Sequence, residues 1–372
     1  MQPLSTLDDA GLAALLARLG APAWRARQVR HATWQPELGS FEDVRQLPGD
    51  LRAALGEELR FSTVEVADAA EADGGRTVKL LCRLADGQTV ETVAMETPAT
   101  GASRRRATVC VSTQVGCAVG CPFCATGQMG LRRSCTAAEV VDQVRAAARV
   151  LRERGLGPVT HVVYMGMGEP LAAYDTTVGS VRLLSEGMGI SPRRITVSTS
   201  GLVPQIERLA AEGLPVTLAV SLHAATDELR DRLVPVNRAH PLAALVAAAE
   251  GYAAATGRRL TFEWCLIAGV NDAPEQADRL HALARRTGAH VNVIPMNHVE
   301  GSPWGPPDAA TAQRFLERLR GVRTTVRDTR GGDADAACGQ LRAGLERRRV
   351  LQADGTLSPM RRTPAGAARG AA

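Results

Sequence analysis

Three cysteines are the residues most able to do chemistry. Cys117, Cys121 and Cys124, within CVSTQVGCAVGCPFCATG from Cys110 to Gly127, form a C-x3-C-x2-C pattern. Three thiolates inside eight residues let one short loop wrap a single inorganic object. Structural zinc accepts cysteines at such spacings but closes its tetrahedron with a fourth ligand. A [4Fe-4S] cluster ordinarily takes four cysteines, so three would leave one iron open to a small molecule. Spacing alone keeps both readings.

The elements that would position this loop follow it. Thr136 and Glu139 fit a capping box, and Val140, Val141, Val144, Ala147, Ala148 and Leu151 give the next helix a buried stripe. Strands are then expected at His161 to Met165, Ile195 to Ser198, Val216 to Ser221, Leu260 to Leu266 and His290 to Ile294, with helical stretches between. Repeated βα units at this spacing imply an α/β fold with a parallel sheet, open or closed. Ligands collect at the C-terminal ends of such strands. Four of these ends carry small or hydrogen-bonding residues: GMGEP from Gly166, STSG from Ser198, SLHA from Ser221, and Met296 with Asn297. Gly166 to Gly168 is no dinucleotide fingerprint, because the third glycine is missing. Gly168 instead admits a ligand to the backbone, and Glu169 can accept from an ammonium group. His223 taken alone reads as a packed, hydrogen-bonded histidine.

The flanks are less specific. Leu7, Leu12, Leu15, Leu16 and Leu19 mark a first amphipathic helix, with Ser5 or Asp8 as its cap. Further helices are expected across 22–34 and 41–59, the latter broken near Pro48. Thr77 to Cys82 and Thr89 to Ala94 read as a hairpin turned at Ala85, Asp86 and Gly87. Glu91, in its second strand, reads as solvent-facing. After Arg327 a Gly-Asp-rich segment leads to Cys338, which by itself reads as a packing cysteine.

The whole chain has 372 residues, 45% of them hydrophobic, a length that suits about two domains or one barrel. No apolar run approaches the roughly 20 residues of a membrane span, and the N-terminus has no signal-peptide pattern. A cytoplasmic protein is expected, whose eight cysteines serve metal or catalysis before disulfides. Net charge is +5, with arginine clusters at 104–106, 132–133, 193–194, 258–259 and 347–349 that could contact phosphates. Lys79 is the sole lysine among 44 basic residues. At 3% aromatics no stacking platform for single-stranded nucleic acid is evident.

The words CVSTQVGCAVGCPFCATGQ, VVYMGMGEPL, ITVSTSG, SLHA, IPMN and DTRGGDADAACGQL, in this order, resemble the RlmN/Cfr family of radical S-adenosylmethionine (SAM) RNA methyltransferases. The likeness runs from about Leu7 to Leu341. It implies a partial (β/α)6 barrel behind a small helical N-terminal domain. The divisions expected are 1–60 for the helical domain, 61–105 for a β-hairpin adaptor, 106–345 for the barrel with the catalytic-cysteine loop, and 346–372 for a basic, disordered tail.

The same resemblance implies the site. Cys117, Cys121 and Cys124 would hold a [4Fe-4S] cluster whose open iron takes SAM, with Gly168, Glu169, Ser198, Ser221, Leu222, His223 and Asn297 as SAM contacts. Cys338 would take a methyl group from one SAM, and a second SAM would supply the radical that activates that methyl for addition to adenine. Glu91 matches the proton acceptor, and Cys110 the thiol that pairs transiently with Cys338 to release product. Cys82, Cys135 and Cys265 match no role and are expected to pack. The implied substrate is adenosine 2503 of 23S rRNA, and in some members adenosine 37 of tRNAs. Carbon 2 is the expected target on the GMGEPL word, with the carbon-8 chemistry of the Cfr branch as the alternative and a zinc-dependent RNA-binding protein as a distant one. The remaining partner expectations are a flavodoxin or ferredoxin as electron donor and a monomeric enzyme.

Overall fold

The computed structural model describes residues 1–101, 104–297, 299, 302–327, 340 and 341. Cys338 and the expected 346–372 tail therefore lie outside the described residues. One ten-stranded sheet dominates. Seven of its strands run parallel, in the order Arg106–Cys110, His161–Tyr164, Ile195–Thr199, Thr217–Ser221, Thr261–Leu266, His290–Pro295 and Thr324–Val326. Helices Ala137–Glu153, Tyr174–Met188, Val203–Ala211, Leu242–Thr256, Pro274–Thr287 and Ala309–Arg318 fall between successive strands. The α/β class holds, with a parallel set of strands and intervening helices as expected for a partial barrel. The short strand Thr324–Val326 is an addition that the sequence pattern did not single out.

On the other side of Arg106–Cys110 the sheet continues antiparallel through Thr89–Thr97, Thr77–Leu84 and Val64–Ala72. The hairpin is thus three strands joined edge to edge with the parallel set. Val64–Ala72 was hidden because its burial alternates weakly and a bulge falls between Val66 and Asp68. The two edges, Val64–Ala72 and Thr324–Val326, do not pair with each other, so the sheet stays open.

The helix after the cysteine loop starts as its sequence demands. Thr136 Oγ1 accepts from the Glu139 N–H at 3.2 Å, and Glu139 Oε2 accepts from the Thr136 N–H at 2.8 Å. Its six-residue apolar stripe is buried throughout. Further along, this helix docks the N-terminal helices, whose leucines and Phe41 and Phe61 form a separate apolar cluster. Asp142 accepts from both the N–H and the hydroxyl of Thr63, at 2.7 and 2.8 Å, and pairs with Arg145 at 2.8 Å. Arg145 also donates to the Phe61 carbonyl and lies over its ring. Gly187 gives Trp34 its seat: a Cβ there would come within 2.2 Å of the indole. No helix among the described residues is long and apolar enough to cross a membrane.

Removing one partner of the buried Asp142–Arg145 pair strands the other charge in the interior. Asp142→Ala is expected to lower unfolding free energy by about 3–5 kcal/mol, read as a shifted denaturant midpoint.

Candidate functional site

The cysteine loop leaves the sheet at the end of Arg106–Cys110 and is pinned by its own backbone. The Cys117 N–H donates to the Gly130 carbonyl at 3.0 Å, and the Cys124 N–H to the Cys121 carbonyl at 3.1 Å. Cys124 caps the short helix Ala125–Gln128. Gly127 is required there, since a Cβ would sit 2.7 Å from the Cys121 carbonyl oxygen. Phe123, from the same loop, packs edge-on against His223 at 5.0 Å between ring centres.

All three cysteines line one cavity. Gly168, Glu169, Ser198, Ser221, His223 and Asn297 line it too, so the separate strand ends converge as the sequence reading required. Leu222, between Ser221 and His223, is fully buried and contributes its carbonyl to Arg230. Burial pushes the Cys117 thiol up to about 12 and raises Cys121 as well, and neighbouring sulfurs and Glu169 add to the penalty on each thiolate. A set of buried thiols that repel one another's charge suits a cationic metal group, which would hold them ionised. Three cysteines on one loop fit a [4Fe-4S] cluster that leaves one iron open better than a structural zinc, which closes its tetrahedron with a fourth protein ligand.

Glu169 is buried with both oxygens occupied. Oε2 accepts from the Ser200 N–H at 2.7 Å and Oε1 from the Leu171 N–H at 3.0 Å. Burial raises its pKa while these donors oppose the rise. Gly168, at φ +99, lets the chain close on Gln114, where a Cβ would clash at 2.5 Å. His223 also has positive φ, at +59. Its Nδ1 accepts from the Cys265 N–H at 2.9 Å, and burial together with Arg230 depresses its pKa to about 3. The ring is a fixed neutral imidazole, consistent with the packed role expected of it. Ser198 and Ser221 hydroxyls meet at 3.3 Å.

A second cavity adjoins the first and shares Met165, Glu263, Ile294 and Asn297 with it. Cys110, Val93 and Met95 line this one. By strand alternation Glu91 lies on the same face as Val93 and Met95. Its solvent-facing reading is overturned: Glu91 is 4% exposed and ion-paired to Lys79 at 3.2 Å. Cys82 and Cys135 are buried and pack as expected, whereas Cys265 is half-buried and reaches the first cavity. No two of the described cysteines are disulfide-bonded.

Sequence reasoning missed three residues. Arg230 is fully buried and donates to the carbonyls of Ser200, Ser221 and Leu222 and to Asn237 Oδ1. It ties the ends of two strands together, and burial lowers its pKa to about 10. Lys79 was noticed for its rarity but not for its partner. Glu263 gave no signal except a charge inside an otherwise apolar strand.

The comparisons with known proteins agree with this geometry. Residues 111–280 match the model of the radical SAM superfamily. A relative from Parafrankia sp., named "Probable dual-specificity RNA methyltransferase RlmN", is 49% identical over 347 residues, covering 89% of each chain. One of the same name from Frankia alni is 50% identical over 337 residues, 87% of this chain and 79% of that one. The crystal structure of a radical SAM methyltransferase from Sphaerobacter thermophilus superposes with a TM-score of 0.87 at 49% identity, over 92% of this chain and all of that one. Likeness of this depth, over a site built from the same loop and strand ends, makes the chain a member of the RlmN family of radical SAM RNA methyltransferases.

Proposed function

We propose that this protein methylates carbon 2 of adenosine in RNA, at the peptidyl-transferase-centre adenosine of 23S rRNA and at the adenosine after the anticodon of some tRNAs. The observation that carries the reading is the shared wall. The cysteine loop opens on one cavity and Cys110 on the next, with Met165, Glu263, Ile294 and Asn297 common to both. A cofactor held at the cysteines and a base admitted beside Cys110 would thus meet in one interior. Carbon 2 of adenine is electron-poor, so ordinary transfer of an electrophilic methyl fails there, and a cofactor has to carry the hard chemistry while the protein orients the partners.

Cys117, Cys121 and Cys124 would hold a [4Fe-4S] cluster, which when bound delivers one electron to SAM. Gly168, at φ +99, lets the chain turn tightly against Gln114 at the cavity wall, Ser198, Ser221 and Asn297 offer hydrogen-bonding groups to the nucleoside part, and Glu169 stiffens the strand end. His223, neutral and held by the Cys265 N–H and Phe123, presents its ring to the cavity. Cys338 would carry the methyl group as S-methylcysteine. Glu91, oriented by Lys79, would accept the proton that leaves the ring carbon. Cys110 would form a transient disulfide with Cys338 to free the product. An electron donor of the flavodoxin or ferredoxin kind, cytoplasmic location, a monomeric state and an RNA-contacting role for the helical N-terminal residues complete the reading.

Mass spectrometry of digested RNA separates the branches, with 2-methyladenosine expected and 8-methyladenosine the result that reassigns the enzyme. Cys121→Ala is expected to leave the protein without cluster iron and without methylation; iron retained at the wild-type level would refute the ligand set. Cys110→Ala should purify with RNA attached covalently, and its recovery free of RNA would remove Cys110 from product release. For Lys79→Met, loss of the ammonium beside Glu91 should lower turnover roughly tenfold or more, a part of the roughly 10²–10⁴-fold that a general base contributes. Methyl loading of Cys338 should stay unchanged in that variant.

A further inference from the structure

Glu263 has no place in the assignments above, yet its geometry is unusual. It stands midway along Thr261–Leu266, level with Ser221 on one neighbouring strand and Asn292 on the other. It is 4% exposed. Asn292 Nδ2 donates to Glu263 Oε1 at 2.9 Å, and Asn292 Oδ1 accepts from His290 Nε2 at 3.0 Å. Thr325 Oγ1 lies 2.9 Å from that same ring nitrogen. This row fixes one carboxyl oxygen across three strands. The other oxygen, Oε2, is buried with no hydrogen-bond partner.

Folded interiors rarely leave a carboxyl oxygen so, because it loses water and gains nothing in return. Glu263 is part of the wall common to the cysteine cavity and the Cys110 cavity. Burial raises its pKa and Arg327 opposes the rise. In either protonation state the carboxyl can accept from an N–H or O–H group. The row through Asn292 cannot pass a proton onward, since a carboxamide neither gives nor takes one readily. A relay to the surface is therefore a poor account, and a fixed contact a good one.

We propose that Glu263 is a nucleoside-binding residue, whose Oε2 takes a hydrogen bond from an amine or hydroxyl group of an adenosine bound in the joined cavities. The inference rests on the functional reading above, in which two adenosines enter: that of SAM and that of the RNA. Both carry an exocyclic amine and ribose hydroxyls, so the chemistry is shared and experiment identifies the source. A site built to pair a polar group discriminates strongly against a ligand lacking it, since the buried partner is then left unpaired.

The test uses the full-length, cluster-reconstituted protein as wild type, Glu263→Ala and Glu263→Gln. Iron content and thermal melting establish that each variant is folded and loaded. SAM affinity is measured by equilibrium dialysis without RNA. Methylation kinetics are measured on RNA carrying either adenosine or purine riboside, which lacks the amine, at the target position. With SAM as the source, Glu263→Ala weakens SAM binding by about tenfold or more. With the RNA base as the source, SAM binding holds, and kcat/KM on adenosine falls by about tenfold toward the purine riboside value. Either result supports the proposal.

A folded, iron-loaded Glu263→Ala variant with SAM affinity and RNA kcat/KM both within about twofold of wild type would overturn it. If Glu263→Ala does not fold, Glu263→Gln keeps the Asn292 bond and is read by the same measurements. It places two N–H donors where an acceptor stood, so a loss in either arm supports the contact and wild-type behaviour in both overturns it. Wild-type protein that neither holds iron nor binds SAM would sink the functional reading itself, and the proposal with it.

Discussion

Negative charge confined to a nearly dry interior is the constraint on which this structure turns. Cys117, Cys121, Glu169 and Glu263 all face or border the cavities, and burial raises the pKa of each. Thiolates in particular cannot persist there unless something positive arrives. Arg230, the cation that acts on Cys121, has its guanidinium engaged with backbone carbonyls and Asn237. Its charge still reaches Cys121, but not closely enough to undo the rise. The protein thus builds a pocket whose ionised form is completed by a metal group, and the loop glycines exist to let that pocket close.

Arg230 shows how the same interior is kept in shape. Strand ends expose carbonyls that have no ladder partner, and four of those ends must converge on a ligand. A buried arginine with a rigid fork of donors satisfies several carbonyls at once. Asn237 anchors the fork in turn, donating to Asp227 and Asp231 at 2.9 and 2.7 Å. These bonds hold the rim in place before a ligand arrives, which reduces the entropy of ordering it on binding.

Much of this was legible beforehand, for physical reasons. The βα alternation was visible because parallel strands buried on both faces become short, β-branched runs, and five expected strands lie within two residues of the observed ones. The capping box at Thr136 was legible because both partners belong to one turn. Glu91 was misread because alternation says which face a residue occupies, not whether that face is covered. Val64–Ala72 escaped because an edge strand with a bulge need not alternate. Arg230 and Glu263 escaped because a buried charge is defined by partners distant in sequence, which composition does not reveal.

Lys79 marks a different kind of legibility. A chain that uses arginine at every other basic position has, in effect, tested arginine widely on its surface and in its interior. Where the single lysine stands, the surroundings suit an ammonium better than a guanidinium. The reason follows from shape: Lys79 is mostly buried between strands, and its single ammonium meets Glu91 Oε1 at 3.2 Å. A guanidinium there would bring five donors and a plane into space sized for a point charge. It would either leave donors unpaired or push Glu91 off its face of the sheet. The rarity of lysine thus becomes informative once the chain's bias is known, and it points to the same strand pair as the carboxylate beside the Cys110 cavity.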